Sequence, residues 1–369
     1  MIKFTFAAPD SGILNIDQLL SKYYGHPKLT ELSSAISQAE SKVVIKGLAG
    51  SVKPFIVCAL SQKLTAQHHL IILSDYEECN YFANDLQNLV NPSRVLVYPS
   101  PYRKHKHIEA FENNQIQQRT EVLNRLKRPL SNQHFVVTYA EALAEKVVSS
   151  DFISKNTFNV KLGDEMDIDF VIDFLVTYNF ERVDFVYEPG TFSIRGGIID
   201  IFSYANEKPY RIELFGDEVE TIKQFDPETQ LSEKRLQSIT ILPNFEHEDE
   251  DGRISFFQFL PESFTVWTDE LTNLHSALED FHVRAENLSD EVTNEVKAVL
   301  ENHLEPADEI IAHIRKRRVI EEAKSGFFEK ATRVQFHVQP QPVFNKKFEL
   351  LANKLEENEN AKYNTYIFS

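Results

Sequence analysis

Four short apolar runs, KVVIK (42–46), HLIILS (69–74), RVLVYP (94–99) and HFVVTY (134–139), punctuate the first 150 residues, and the segments between them repeat their apolar positions at helical spacing. Short β-branched runs bounded by polar residues read as buried strands, and their alternation with helices implies a parallel sheet covered on both faces. Asp75 and the residues after Tyr139 open helices. NQIQQRTEVLNRLKRP reads as an amphipathic helix with Ile116, Leu123 and Leu126 inward and a stop at Pro129. From about Phe152 the pattern changes. One helical segment, DIDFVIDFLVTYNF (167–180), precedes a series of short alternating runs, RVDFV, TFSIR, GIIDIF, YRIELF, EVETIKQF and SITIL, which predict an antiparallel, α+β domain. Of the chain's 11 glycines, Gly190, Gly196, Gly197 and Gly216 fall in this stretch, as turns and bulges require. A two-residue turn at Gly216 and Asp217 would pair Glu213 with Glu220 and Arg211 with Ile222. Tyr210, Ile212 and Leu214 then share one face with Val219, and Arg211, Glu213 and Phe215 share the other. After Pro243 helical segments return, FLPESFTVWTDE (259–270) reads as a strand, and AHIRKRRVIEEAKSGFFEK (312–330) reads as a solvated helix face.

At 369 residues, two or three domains are expected. The division read from the pattern is an α/β lobe at 1–150, an inserted α+β domain at 151–243, and a segment 244–369 that completes the first lobe. Hydrophobic residues at 42% and charged residues at 26% suit a globular protein, and no apolar run is long enough to cross a bilayer. The opening MIKFTFAAPDSGILN makes a poor signal peptide, so a cytoplasmic location is expected. Cys58 and Cys79 share no metal-ligand spacing and read as bystanders. A formal charge of −17 argues against general nucleic-acid binding. The charge is uneven, however. Residues 94–128 hold eight lysines and arginines against three glutamates, including RKHKH at 103–107, and EHEDED at 246–251 is acidic. The basic stretch is either a solvated helix and loop or a secondary, weak contact with DNA.

The stretch VVIKGLAGSVKPFIVCAL (43–60) has the outline of a phosphate-binding loop, G-x-x-x-x-G-K-(S or T), set between a strand and a helix. Gly47, Gly50 and Lys53 keep that outline. Val52 stands where the second glycine belongs, and Pro54 stands where a hydroxyl would ligate magnesium. Proline has neither hydroxyl nor N–H, so one substitution removes a metal ligand and a phosphate donor. The expectation is a vestigial loop, with no catalytic residue, metal site or nucleotide cofactor in this chain. Asp269 and Glu270 are either what is left of an acidic magnesium motif or polar residues opening a helix.

The most specific stretch is RVDFVYEPGTFSIRGGIIDIFSYANEKPYRIELFGDEVETIKQFDPETQLS (182–232). It closely resembles the segment shared by the family of the excision-repair helicase UvrB and the transcription-repair coupling factor Mfd, in the domain with which both meet UvrA. The shared order is PG-x-F-x-x-RGG-x-x-D-x-F, then R-(I or V)-E-(F or L)-FGDE(V or I)E, then FD-x-x-(T or S)-Q. The resemblance implies a degenerate helicase-like parallel lobe carrying an inserted UvrA-binding domain. UvrB-like proteins are expected to keep an intact phosphate loop and to add an aromatic-rich hairpin after VLVYPSPY, where this chain has neither. FNKKFELLANKLEENENAKYNTYIFS resembles the Mfd segment that leads towards the polymerase-binding domain, so the chain is expected to be part of something longer. The implied role is recruitment of UvrA to RNA polymerase stalled at damaged DNA, with polymerase contact, ATP and magnesium belonging to domains outside this chain. The alternative is a nucleotide-dependent helicase lobe or damaged-DNA-binding module like UvrB. Carried over position by position, the resemblance implies partner contacts at Arg182, Phe192, Arg195, Arg211 and Glu213. Ser193 departs from it, since UvrB relatives tend to carry another arginine there.

Overall fold

In the computed structural model the described residues are 16–101, 113–245, 252–288, 303–363 except 341 and 346, and 365. The RKHKH and EHEDED runs, and most of the strand-like YNTYIFS ending, lie outside them. The first lobe comprises α1 (Ile16–Tyr24), α2 (Pro27–Ala35), β1 (Lys42–Lys46), α3 (Val52–Lys63), β2 (His68–Leu73), α4 (Tyr76–Leu89), β3 (Val95–Val97), α5 (Asn113–Leu126), β4 (Phe135–Tyr139), α6 (Ala140–Leu143) and α7 (Ser150–Lys155). The inserted part comprises β5 (Phe158–Lys161), α8 (Ile168–Thr177), β6 (Glu181–Arg182), β7 (Thr191–Arg195), β8 (Ile198–Ile201), β9 (Tyr210–Phe215), β10 (Glu218–Phe225), β11 (Ser232–Leu236) and β12 (Ser238–Ile241). The chain then runs through α9 (Phe256–Phe259), β13 (Phe264–Thr268), α10 (Leu271–Leu288), α11 (Ala307–Arg315), β14 (Arg318–Glu322), β15 (Thr332–Gln335) and α12 (Phe348–Asn360).

All four apolar runs of the first 150 residues are strands of one seven-stranded sheet, ordered β15-β1-β14-β13-β2-β4-β3 and parallel at every pairing. The carboxyl-terminal part supplies β13, β14 and β15, so it completes the first sheet with two central strands and one edge strand. Sequence pattern misplaced one of these. Residues 318–322, taken as part of a solvated helix face, form β14, with Val319, Ile320 and Glu321 buried. Their neighbours on both sides are apolar strands, and burial between them outweighs the flanking charges. Helix starts follow local chemistry: the Asp75 carboxylate accepts from Glu78 N at the head of α4, and Ser255 and Gln258 make a reciprocal cap on α9.

Helix α5 touches two cores. Leu123 and Leu126 lie in the core of the first lobe, whereas Ile116 packs among residues of the inserted sheet, and the Gln117 side chain donates to Asn206 O. Arg119, at its middle, is fully buried beneath the first sheet. Its guanidinium lies over the Tyr98 ring at 4.5 Å and pairs with buried Glu145 at 3.1 Å. Arg94 is likewise turned inward, donating to Gln133 O at 2.7 Å. Two of the basic residues of 94–128 are therefore structural.

The inserted part forms a six-stranded sheet, β11-β10-β9-β8-β7-β6, with β5 and β12 as a separate pair. Its inner face (Phe192, Ile199, Ile201, Tyr210, Ile212, Val219, Ile222) packs on Val171 and Leu175 of α8. The turn at Gly216 and Asp217 forms as expected, pairing Phe215 with Glu218 and Leu214 with Val219. A β-bulge then shifts the register, so that Glu213 pairs with Thr221 and Arg211 with Lys223. The pairings with Glu220 and Ile222 are thereby corrected. Val219 and Ile222 are three residues apart, and only an extra residue between them lets both face inward.

Candidate functional site

Two places collect the residues singled out by sequence. The first is the carboxyl edge of the large sheet, where β1 ends and residues 47–51 lead into α3. Gly47 has φ +75°, and a Cβ there would stand 2.1 Å from the carbonyl oxygen of Phe336. The chain leaving β15 lies against this loop, with Phe336 N donating to Lys46 O at 2.8 Å and Val338 N to Gly47 O at 3.0 Å. Val52, Lys53 and Pro54 form the first turn of α3, which has no side-chain cap.

The Lys53 ammonium is engaged from two sides. It forms an ion pair with Asp269, at the end of β13, and a second with Glu322, at the end of β14, at 3.2 Å. Burial alone would lower its pKa, but the two carboxylates outweigh burial and raise it. Asp269 thus belongs to the loop, whereas Glu270 accepts from Lys324 N at 3.2 Å, beside the start of α10. Glu322 was missed by sequence because its segment was read as helix; the VIEE ending of a β-branched run was the available signal. Cys58 is buried in α3, and burial pushes its thiol up to about 11.

The second place is the outer face of the six-stranded sheet. The register sets Ser193, Asp200, Arg211 and Lys223 side by side on four successive strands. Asp200 has no exposed surface and anchors the row. Arg211 grips it twice, through Nε to Oδ1 at 2.7 Å and NH2 to Oδ2 at 2.8 Å, while its guanidinium lies 4.6 Å from the centre of the Phe225 ring. Those hydrogen bonds raise the guanidinium pKa further. Arg195 reaches the same carboxylate at 2.6 Å but keeps 40% of its side chain exposed. Glu213 turns to the neighbouring strand and accepts from Lys223 and Thr221, each at 2.6 Å, which together hold its carboxyl below the usual range.

One contact assignment changes on this geometry, and one moves to the edge of the sheet. Phe192 has no exposed surface and lies in the inner core, out of reach of a partner. Arg182 is exposed on the edge strand, but its register partner is Phe192, so it belongs to the inner-face row and reaches solvent because the sheet ends there. Only Arg195, Arg211 and Glu213 share the outer face. All three have intramolecular partners, and Arg195 keeps the most exposed side chain. The hydroxyl of Ser193, buried, donates to Asp184 O at 3.0 Å.

Residues 158–247 match the family model described as the UvrB interaction domain. The chain is similar to the transcription-repair-coupling factor of Bacillus subtilis strain 168, with 32% identity over 200 residues, covering 54% of this chain and 17% of the relative. It is also similar to the protein of that name from Borreliella burgdorferi, at 26% over 231 residues (62% of this chain, 18% of the relative), and to that of Staphylococcus aureus strain RF122, at 26% over 211 residues (57% and 18%). The chain spans less than a fifth of the length of these relatives. Together these are a match to the UvrB interaction domain and similarity to transcription-repair-coupling factors over 54% to 62% of this chain.

Proposed function

We propose that this chain, a relative of the transcription-repair coupling factors that carries a UvrB interaction domain, recruits UvrA in transcription-coupled excision repair. The observation that carries the reading is the coincidence of the family match at 158–247 with a sheet whose outer face presents Arg195, its side chain 40% exposed. Contact with RNA polymerase, and the ATP-driven movement along DNA implied by resemblance to Mfd, belong in this reading to parts of the relatives outside the matched region.

The residues at 47–54 do not suit a nucleotide with magnesium. Pro54 offers no hydroxyl, Lys53 is engaged by Asp269 and Glu322, and the backbone at Phe336 lies against Gly47. The loop in this reading is a structural joint between β1, β13 and β14. A helicase lobe like UvrB would need Lys53 released from both carboxylates.

The test is calorimetric titration of the chain with UvrA. Reversing Arg195 would set a new carboxylate against buried Asp200, so loss of binding and loss of fold would be confounded. Arg195→Gln and the edge reversal Arg182→Glu avoid this. Each should weaken UvrA binding roughly tenfold or more while the melting temperature falls by no more than about 4 °C, whereas Lys161→Glu, on β5, should bind as wild type does. Equal binding by all three variants would overturn the proposal.

A further inference from the structure

Every second residue of the segment joining β6 to β7 is fastened down. The carbonyl of Asp184 accepts from Ser193 Oγ at 3.0 Å and from Arg195 NH1 at 2.7 Å. The Val186 side chain, with no exposed surface, packs with Phe202 and Phe225, and its carbonyl accepts from Gln230 Nε2 at 3.1 Å. The carbonyl of Glu188 accepts from Thr191 Oγ1 at 2.6 Å. At the end of the segment Gly190 has φ +82°, and a Cβ there would lie 2.0 Å from the Tyr204 hydroxyl oxygen, so no other residue fits without displacing that ring.

What the fastening leaves outside is a pair of aromatic side chains. Phe185 and Tyr187 are 53% and 55% exposed, and the Arg195 guanidinium lies 5.4 Å from the centre of the Phe185 ring. A single exposed apolar side chain is ordinary. Two aromatics held outward by five separate attachments are different, because each attachment restricts a loop that leaves more than half of each aromatic residue exposed. Pinning does lower the ordering cost of binding, and buried aromatics beside arginine are the side chains that dominate interface energies.

We infer that Phe185 and Tyr187 are the apolar anchors with which this domain seats on UvrA, in a cleft edged by carboxylates that face Arg195, and that Asp200 and Gln230 are positioning residues that hold the anchoring segment. This rests on the UvrA-binding reading above and deepens it. The loop borders the outer face, and Arg195 joins the two: it is fixed from beneath by Asp200, clips Asp184 and lies against Phe185. The ordered spacing from Arg195 to Gln230 is then the spacing of the clips, and the surface they serve is contributed by residues upstream of them.

Two measurements on the whole chain test this. In calorimetric titration with UvrA, the double substitution Phe185→Ala, Tyr187→Ala should raise Kd about thirtyfold or more at an unchanged melting temperature, and Phe170→Ala, an aromatic of α8 that is 58% exposed, should change it about twofold or less. In hydrogen exchange on the chain alone, Gln230→Ala should speed exchange at 184–188, while the double substitution should not, since it removes no clip. Wild-type binding with an unaffected double variant would overturn the anchor alone. Unchanged exchange in Gln230→Ala would overturn the positioning role. Failure of the wild-type chain to bind UvrA would overturn the functional reading and the anchor together.

Discussion

Arg211 meets Asp200 through two hydrogen bonds, at 2.7 and 2.8 Å, and the carboxylate it grips has no solvent-exposed surface. A buried carboxylate must be paired, and a planar guanidinium matches both of its oxygens. Arg211 is thus committed inside the molecule, although its motif position suggested a partner contact. Asp200→Ala should cost about 3 kcal/mol or more in urea unfolding, because two guanidinium groups lose their acceptor together. Arg195→Gln should cost about 1 kcal/mol or less, since that side chain is 40% exposed and screened by water. Equal losses for the two would show that Asp200 does not hold the row.

Lys53 should matter for stability and not for turnover. Removing it leaves Asp269 and Glu322 facing each other without a cation, so Lys53→Met should lower the unfolding free energy by about 1 to 2 kcal/mol. Millimolar ATP with magnesium should leave the wild-type melting temperature where it is, since a ligand stabilises only the state it binds. Phosphate release that Lys53→Met abolishes would identify the loop as a working site.

Acid should loosen the first lobe from about pH 6.5 downwards. His69, with no exposed surface, accepts from the Trp267 indole N–H at Nδ1 and is pushed down to about 3 by burial, then by His68, Arg94 and Arg318. His68 is pushed down to about 4 by burial, then by His134 and Arg94. Below about pH 6.5 the unfolded chain takes up protons that the folded chain refuses, so stability falls as pH drops from 6.5 towards 4, by about 1.4 kcal/mol per pH unit for each histidine. Above pH 6.5 neither group contributes. A chain with His69→Gln should have a flatter profile across that window in urea titrations at stepped pH.

DNA binding by this chain should be weak and steeply salt-dependent. Its formal charge is −17, and Arg94 and Arg119 are turned inward. Fluorescence anisotropy at physiological salt should give a Kd no tighter than about 1 μM, and nanomolar binding would require a basic face that the described residues do not offer.

The sequence by itself determined the local structure of this protein. Period-two and helical patterns located β1 to β4 and the hairpin strands, because the alternation of side chains across a strand is a local property of the backbone. The ordered motif from Arg182 to Ser232 marked the inserted domain that matches the UvrB interaction domain, since its residue types and spacings survive without reference to the rest of the chain. Tertiary structure decided which charges are spent. Lys53 finds Asp269 and Glu322 more than 200 positions away, and β14 became a central strand although its flanking charges looked solvated, because its neighbours arrive from both ends of the chain. The bulge in β10 was set by the need to bury both Val219 and Ile222. Phe192 was claimed by the core, and Asp200 claimed two arginines, since a buried carboxylate takes the nearest cations before any partner can. What the motif points to and what the surface offers differ for that reason: burial is fixed by all the strands together, and no single strand carries it in its sequence.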